Sequence, residues 1–505
     1  MTDAALPLPP RAIGADSALI AKRYRAERRF KFYGIAALTV TALFLVLLFA
    51  DILSKGLPAF FEHRMTLPVT VDAAKIDPQN SKDPAVIRAG DFDGVVRQSF
   101  RTMFPQVTSR GDRKALLGLL SSGATDDFRN MVVNDPSLIG KEIKVPVLLS
   151  DDADQYFKGR QTGIERVAGK GTLTIATEGD TYTLGGLDPA ALRVEDVIRV
   201  NGGGFKVTAL SPLTVEALQK PTSTDPATTW DILRFTVPEA NRRIDNREAF
   251  WLESLRDAKV TEEGVAWRFF TTGDSREPEL AGIRGALTGS ILTLFVTLLL
   301  CLPIGVAAAI YLEEFAPKNK LTQLIEVNIN NLAAVPSIVF GLLGLAMFLN
   351  FFGLPRSAPV VGGLVLALLV LPTIIIASRA ALKAVPPSIK EAALGVGASK
   401  QQAIFHHVLP LAMPGIMTGT IIGMAHALGE TAPLLMIGMV AFIVDIPSSL
   451  TQAATVLPIQ IYLWSDLPEV AFQSKTAGAI IVLLVFLFVM NAAAILLRRR
   501  FERRW

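Results

Sequence analysis

The sequence predicts an α-helical integral membrane protein with six transmembrane helices and an external α+β domain inserted between the first and second of them. Half of the 505 residues are hydrophobic, and the mean hydropathy is +0.40. The hydrophobic residues form uncharged runs, each near or above the roughly 20 residues that cross a bilayer. A large buried helical bundle is the alternative, but soluble core helices are rarely apolar on every face over such lengths.

The first apolar run predicts an anchor helix over residues 32–53, behind a basic tail of residues 1–31. No small-residue cleavage site closes this run, so we expect an uncleaved anchor rather than a signal peptide. A core of residues 282–505 contains the other predicted spans, at 285–312, 327–353, 358–378, 414–441 and 476–497. The single cysteine, Cys301, lies inside a span, which excludes disulfides within the chain and thiolate metal clusters.

The distribution of Lys and Arg predicts the orientation. With six spans, both termini lie on one side, and that side carries eighteen Lys and Arg residues in tails and short loops. The two short loops opposite carry only Arg356 and Lys475. Because cytoplasmic segments retain positive charge, we expect cytoplasmic termini and an external position for residues 54–281, which we call the insert. The sequence pI of 9.0 then reflects topology rather than nucleic-acid binding, since no recognition motif accompanies the charges.

The insert is predicted to be a domain of its own, with no catalytic site. Helical signals surround residues 115–120 and follow Thr125, and strand signals fall at 172–176, 181–184, 197–200 and 205–210. Glu178-Gly179-Asp180 is typical of a hairpin turn. Asp151, Asp152 and Asp154 are spaced like a solvated acidic turn with no histidine nearby; a calcium loop is the alternative, but its Gly and terminal Glu are missing.

The predicted cytoplasmic loop of residues 379–410, which we call the coupling loop, has explicit helix-start signals. Ser388 and Glu391 have the spacing of a capping box after Pro386-Pro387, and Ser399 and Gln402 have the spacing of a second one. Glycines at 395 and 397 separate the two predicted helices. Small residues at Ala392 and Ala393 would let a partner approach closely. An amphipathic connector lying on the lipid headgroups is the alternative.

Glu391-Ala392-Ala393, followed by Gly397 and by Leu409-Pro410, resembles the EAA loop of ABC-importer permeases. This resemblance implies the type I importer fold and a coupling helix seated in a cleft of a separate ATPase subunit. The residues after Gly395 lack the Gly-Lys-Ser/Thr ending of a phosphate loop, so we expect no ATPase site in this chain. The chain itself is expected to bind no cofactor and no metal, whereas the partner ATPase would use ATP and Mg.

The fifth predicted span carries two ionisable residues, His426 and Glu430, one helical turn apart. A carboxylate in mid-bilayer costs about 2.5–3.5 kcal/mol, so Glu430 should face a polar partner or a cavity. Pro433 frees a backbone carbonyl beside it. A packing pair between Glu430 and either His426 or Arg379 is the alternative to a functional site.

Residues 429–435, together with 334–341, resemble the phosphate-transport permease of the PstA type. The resemblance implies phosphate import across a bacterial inner membrane, with a PstC-type permease, a PstB-type ATPase dimer, a periplasmic phosphate-binding protein and no nucleic acid. It implies a substrate path through Glu430 and Thr431. His426 and Ile376 stand where the family commonly has arginine, and Arg379, one turn from Ile376, is expected to supply the missing charge. His426 could make transport depend on pH near neutrality.

Two other functions remain open. A permease for another oxyanion, such as sulfate or molybdate, would share the EAA loop but not residues 429–433. A membrane receptor could sense through the insert, but it would normally carry a cytoplasmic output domain. The insert could dock a binding protein, contact the second permease, sense a signal, or form a passive stalk.

Overall fold

The computed structural model describes residues 17–160, 163–178 and 181–501. Its first helix, α1, runs over Ser17–Gly56 and extends the predicted anchor into the basic segment before it. Ion pairs one turn apart, Lys31 with Glu27 and Lys55 with Asp51, lie along this helix. The predicted hairpin turn at residues 179–180 and the basic residues Arg11, Arg503 and Arg504 lie outside the described residues.

The insert combines short helices with three antiparallel sheets. Its helices are α2 (Ala73–Ile76), α3 (Pro84–Arg88), α4 (Phe92–Met103), α5 (Arg110–Gly118), α6 (Asp126–Asn134), α7 (Asp151–Phe157), α8 (Asn246–Asp257) and α9 (Trp267–Thr271). Its strands are β1 (Phe61–Thr70), β2 (Glu142–Leu148), β3 (Ile164–Ala168), β4 (Thr174–Glu178), β5 (Thr181–Gly185), β6 (Val197–Val200), β7 (Gly203–Leu210), β8 (Leu213–Gln219), β9 (Asp231–Phe235) and β10 (Thr261–Val265). The sheets have the strand orders β10-β1-β2, β3-β9-β6-β7-β8 and β4-β5.

Two strand predictions in the insert are confirmed. β4 and β5 pair as an antiparallel hairpin in which Ile175 faces Leu184. The strands predicted near 197–200 and 205–210 are β6 and β7, which also pair with each other. The first and last strands of the insert are neighbours, because Phe61 of β1 pairs with Val265 of β10.

The insert has its own hydrophobic core, on which β1 and α8 both pack. Met65, Leu67 and Val69 alternate along β1 and are fully buried, as expected for a strand with one face on a core. A capping box between Asp245 and Glu248 starts α8. Local features of the chain, the alternation along β1 and the capping box of α8, therefore place both elements on this core.

The prediction of a solvated acidic turn at residues 151–154 is wrong. Asp151 begins α7, and Asp154 is only 9% exposed. The expectation that no histidine lies nearby is also wrong: the backbone N–H of His63 donates to Asp154 Oδ1 at 2.9 Å, and His63 Nδ1 lies 2.9 Å from the same oxygen. Carboxylates are favourable in the first turn of a helix, and β1 brings His63 to Asp154 across 91 residues of chain.

The core contains ten helices among its described residues. They are α10 (Arg284–Ile310), α11 (Lys320–Ala333), α12 (Ser337–Gly344), α13 (Pro359–Lys383), α14 (Pro387–Gly395), α15 (Lys400–Gln402), α16 (Leu409–Gly429), α17 (Ala432–Met436), α18 (Leu457–Ser465) and α19 (Val470–Phe501). Wider π-helical turns occupy Tyr311–Phe315, Leu345–Phe351 and Ala403–Val408. In the described part of the chain, five helices are long and apolar enough to span a membrane, and the bent pair of α11 and α12 brings the number to six when it is counted as one span.

Small residues bring the core helices close together. α16 carries Gly415, Gly419 and Gly423 at four-residue intervals and packs with them against α13. A Cβ added at Gly415 would come 2.6 Å from the Cβ of Ala381. Close backbone approach of this kind drives helix association where the hydrophobic effect is weak. Cys301 of α10 is buried and donates through Sγ to the carbonyl of Ala367 on α13 at 3.2 Å.

The structure differs from the predicted spans in three places. The span at 327–353 is divided between α11 and α12, which meet at an angle of 102°. The span at 414–441 is interrupted after Gly429, where α16 ends. Lys475, predicted in an external loop, lies inside α19 and is 8% exposed. Hydropathy is averaged over a window of residues. It therefore detects neither a change of helix direction nor the start of α19 six residues before the predicted span.

Candidate functional site

The first component of the candidate site is the interruption between α16 and α17. Glu430 has extended backbone angles, φ −79° and ψ 115°, and ends α16. Pro433 has no N–H to donate to the carbonyl of Gly429, so a continuous helix would lose a hydrogen bond here. The interruption therefore presents Glu430 and Thr431 on non-helical backbone within an apolar segment, an arrangement found where a helix lines a cavity or a binding site.

A second interruption packs directly against the first. α11 ends at Ala333 and α12 begins at Ser337, with Pro336 at the bend. Gly341 of α12 lies against α17 so closely that an added Cβ would come 2.7 Å from the Cα of Pro433. The two segments that carry the family resemblance, 334–341 and 429–435, are therefore brought together in the fold.

Glu430 has the polar partner that its position requires. His426 Nε2 lies 3.1 Å from Glu430 Oε1, across one turn of helix. The His426 side chain is 60% exposed, whereas that of Glu430 is 20% exposed. This pair is one of the two partnerships that the sequence left open for Glu430, and the described residues contain no ion pair between Glu430 and Arg379.

Arg379 belongs to a separate ion-pair cluster. From α13 it donates to Glu326 of α11 at 2.8 Å, and its Nε lies 3.5 Å from Glu313 Oε2 in the π-helical turn after α10. Lys383 also lies 3.5 Å from Glu313. Together with Lys318 and Lys320, these residues line an open cleft that carries four positive side chains and two carboxylates.

The coupling loop folds as a helix, a glycine turn and a second helix. The capping box predicted for Ser388 and Glu391 is wrong, because α14 already begins at Pro387 with Pro386 as its N-cap and no side-chain cap. Proline is preorganised for the first helical position, so it takes the start and leaves Ser388 inside the helix. The predicted capping box of Ser399 and Gln402 is confirmed.

Within this loop, the described residues differ sharply in exposure. Glu391 and Ala392 are exposed, Ala393 is buried, and Leu409-Pro410 is half-buried at the start of α16. Gly397 has φ +91°, which only glycine adopts readily, so it turns the chain between the two helices.

Several residues that hold or extend the coupling loop escaped prediction. Lys390 contacts the carboxylate of Glu314, and Lys400 lies 5.0 Å from the ring centre of Phe315, so both helices of the loop are tied to the turn after α10. Val396 is 87% exposed. An apolar residue between two glycines in a polar loop is the signal that could have marked Val396 as a contact residue.

Among residues 17–160, 163–178 and 181–501, no group of three or more His, Cys, Asp or Glu side chains is arranged to hold a metal ion. The arrangement consists instead of two packed helix interruptions, a basic cleft and a projecting helical loop.

Comparison with known proteins places the core in one family. Residues 301–505 match the family described as binding-protein-dependent transport system inner membrane component, and residues 17–164 match a domain of unknown function, DUF3333. The probable ABC transporter permease protein YqgI of Bacillus subtilis is 37% identical over 172 residues, which cover 34% of this chain and 58% of that protein. The chain thus spans little more than half the length of this relative.

Two phosphate transport system permease proteins are covered more fully. PstA 1 of Mycobacterium tuberculosis (strain CDC 1551 / Oshkosh) is 31% identical over 245 residues, 48% of this chain and 79% of that protein. PstA of Yersinia pestis is 30% identical over 253 residues, 48% of this chain and 83% of that protein. Among solved structures, an inward-facing MetNI methionine ABC transporter chain is 19% identical, with a TM-score of 0.36, covering 44% of this chain and 96% of that chain.

Proposed function

Because the chain belongs to the PstA family of phosphate transport system permease proteins, we propose that it is the permease subunit of an ATP-driven importer of inorganic phosphate. The observation that carries the proposal is the family membership of the core, which the two packed helix interruptions and the coupling loop support at the level of geometry. In this proposal a separate ATPase supplies the energy, and the chain supplies the path and the mechanical connection. In this proposal the chain itself hydrolyses no ATP.

The proposed path runs along the helix interruption at Glu430 and Thr431. His426 stands beside Glu430 and provides a nitrogen that can be neutral or charged. The cleft around Arg379 has more positive than negative side chains, which favours an anion. Arg379 is shared with Glu313 and Glu326, so an anion there would compete with these carboxylates for the guanidinium.

The proposed coupling runs through Glu391, Ala392, Ala393 and Gly397 to Leu409-Pro410. An exposed short helix with small residues can enter a cleft of a partner and move as a rigid body. Val396 and the exposed face of α14 would contact the ATPase, and the contacts of Lys390 and Lys400 would pass its movement to the end of α10.

The proposed partners are a PstC-type permease, a dimer of PstB-type ATPases and an external phosphate-binding protein. In this proposal the termini lie in the cytoplasm, the insert lies in the periplasm, and the complex occupies a bacterial inner membrane. The excess of Lys and Arg in the tails and in the coupling loop supports this orientation.

The test is reconstitution of the chain with a second permease and an ATPase in liposomes, with a phosphate-binding protein outside. We expect phosphate to stimulate ATP hydrolysis and to accumulate on the side of the ATPase. Stimulation by sulfate or molybdate but not by phosphate would assign another oxyanion. Binding of a ligand to the insert without any solute movement would favour a receptor.

A further inference from the structure

A partly enclosed cavity lined by several charged residues lies where the insert meets the last spanning helix. The insert contributes β1, α7 and, from its last residues before α10, Glu279 to the walls, and α19 contributes Ser474 and Lys475. Its volume is about 20 Å³, which is room for a single water. The cavity belongs neither to the helix interruptions nor to the coupling loop, so the proposed transport function does not account for it.

Carboxyl groups outnumber cations in this cavity. Glu62, Asp151, Asp154 and Glu279 line it together with Lys158, Lys475 and His63. Two of the four carboxyl groups have cationic partners, since Arg64 pairs with Glu62 and Lys158 pairs with Asp154. In the described part of the chain, Asp151 and Glu279 form no ion pair. Two carboxyl groups thus lie half-buried at the contact between the insert and α19, each outside any ion pair among the described residues.

One buried acceptor of the cavity lacks a hydrogen bond. Gln155 is 2% exposed, and its Oε1 has no hydrogen-bond partner among the described residues. Lys475 donates to the carbonyl of Ala281 at 3.1 Å and lies 5.0 Å from the ring centre of Phe269. Ionised carboxylates only accept hydrogen bonds, whereas a protonated carboxyl group donates one. A bound proton would therefore remove one negative charge and add one donor.

We propose that this cavity is a proton-binding site. A proton held by Asp151 beside Glu279 keeps the insert packed against α19, at a contact that we call the joint. Loss of that proton loosens the joint. The ligand is the proton itself. The proposal does not depend on which solute the core carries, because it concerns the attachment of the insert.

Every element around Asp151 contributes charge. On its own helix lie Asp152, Asp154 and Lys158; β1 contributes Glu62 and His63, and α19 contributes Lys475. Glu279 and the adjacent Glu277 come from the segment before α10, and Arg243 comes from the segment before α8. Burial, followed by the charges of Asp152, Glu279 and Asp154, raises the pKa of Asp151 to about 7, against the opposing charge of Arg243.

The neighbouring carboxyl groups differ in a consistent way. Burial also raises the pKa of Glu279. Burial acts in the same direction on Asp154, but hydrogen bonds from His63 and Lys158 outweigh it and hold the pKa of Asp154 below its usual range. Asp154 therefore remains the fixed counter-ion of Lys158, and Asp151 is the group that titrates near neutrality.

The direction of the pH effect follows from linkage. Asp151 binds its proton more tightly in the closed joint than in an open, solvated one, where its pKa returns towards 3.8. Closing is therefore favoured at low pH, and this contribution is lost as the pH rises through about 7. Above that pH Asp151 is deprotonated in the closed and in the open joint, so a bound proton no longer stabilises the closed one.

The experiment measures access to the joint in the full chain. Ser474 is 4% exposed, so a Ser474→Cys variant in a Cys301→Ala background can react with a maleimide only when the joint opens. Ser449→Cys, at an exposed position, serves as the reference and cancels the general rise of thiol reactivity with pH. The labelling rate of Ser449→Cys divided by that of Ser474→Cys gives the protection of the joint.

The midpoint of the change is the pKa of Asp151 in the closed joint. We expect protection to fall about tenfold from one pH unit below this midpoint to one pH unit above it, because a single proton is linked to opening. Asp151→Asn should keep protection high and independent of pH. Glu279→Gln should move the midpoint to lower pH because it removes a like charge, and Arg243→Gln should move it to higher pH. Glu142→Gln, at an exposed position outside the cavity, is the matched control and should change nothing.

Two results would overturn the proposal. One is protection that does not depend on pH in the parent chain, including labelling of Ser474→Cys as fast as the reference at every pH. The other is a pH dependence that survives unchanged in Asp151→Asn. Circular dichroism of each variant establishes that it has folded before labelling is compared.

Discussion

Lys390, one residue before Glu391-Ala392-Ala393, contacts the carboxylate of Glu314 in the π-helical turn that follows α10. The Glu314 side chain is only 9% exposed, and that of Lys390 is 32% exposed. The helix that would meet the ATPase is therefore held at one end by a partly buried charge pair on another spanning helix. Movement of α14 would reach α10 directly, without passing through α16.

Lys390→Met should reduce the number of phosphate ions transported per ATP hydrolysed, because the loop could move without moving α10. Because the substitution leaves the mostly buried Glu314 carboxylate without its partner, unfolding stability should fall by about 1–3 kcal/mol. Transport and ATP hydrolysis measured together in liposomes check the prediction. The exchange Lys390→Glu with Glu314→Lys is the control and should restore coupling; failure of the exchange, with normal assembly, would argue against the charge pair as the connection.

Gly397→Ala should strain the turn of the coupling loop, because alanine at φ +91° costs about 1–2 kcal/mol. We expect weaker binding of the ATPase with little change in the stability of the spans. Gly395→Ala is the matched control, since no atom lies within 4 Å of an added Cβ and its φ is negative. Pull-down of the ATPase by each variant measures the effect, and equal binding by both variants would contradict the prediction.

Gly341→Ala should separate the two helix interruptions, because the new Cβ would meet the backbone of Pro433 at 2.7 Å. Overpacking of this kind costs about 1–3 kcal/mol and should lower both thermal stability and uptake. Gly429→Ala, at the other side of the same interruption, has open space around the added Cβ. It should leave stability unchanged or slightly higher, and a comparable loss in both variants would show that their effect does not come from packing.

If Arg379 donates a charged hydrogen bond to the anion, Arg379→Gln should reduce phosphate uptake about tenfold or more. Its pairing with Glu326 offers a second explanation for any loss, because Glu326 would be left without its partner. The double variant Arg379→Gln with Glu326→Gln separates the two. A role in the path predicts that the double variant stays inactive, whereas recovered uptake would assign Arg379 to structure.

Local patterns in the sequence predicted most single elements of the fold. An apolar run of the length of a bilayer and an alternating strand pair are each decided within about twenty residues. The spans and the β4-β5 hairpin were therefore recognisable. The capping box at Ser388 was not, because the motif matched while the adjacent Pro387 determined where the helix begins.

Contacts between distant segments could not be predicted in the same way. His63 meets Asp154 across 91 residues, and Lys390 meets Glu314 across 76. A single sequence contains no signal for either contact. The same limit applies to the site, where the His426 and Glu430 pair followed from helical spacing but the ion pairs of Arg379 with Glu313 and Glu326 did not.

The pairing of Phe61 with Val265 has a consequence for how such a chain can change over evolutionary time. The chain enters and leaves the insert's first sheet at adjacent positions, because paired residues of antiparallel strands lie only about 5 Å apart. A gene could therefore acquire or discard this whole coding segment in a single event, and the remaining exit and entry points would need only a tight linker between them. In this geometry, removing the segment between Phe61 and Val265 would leave the order of the spanning helices unchanged.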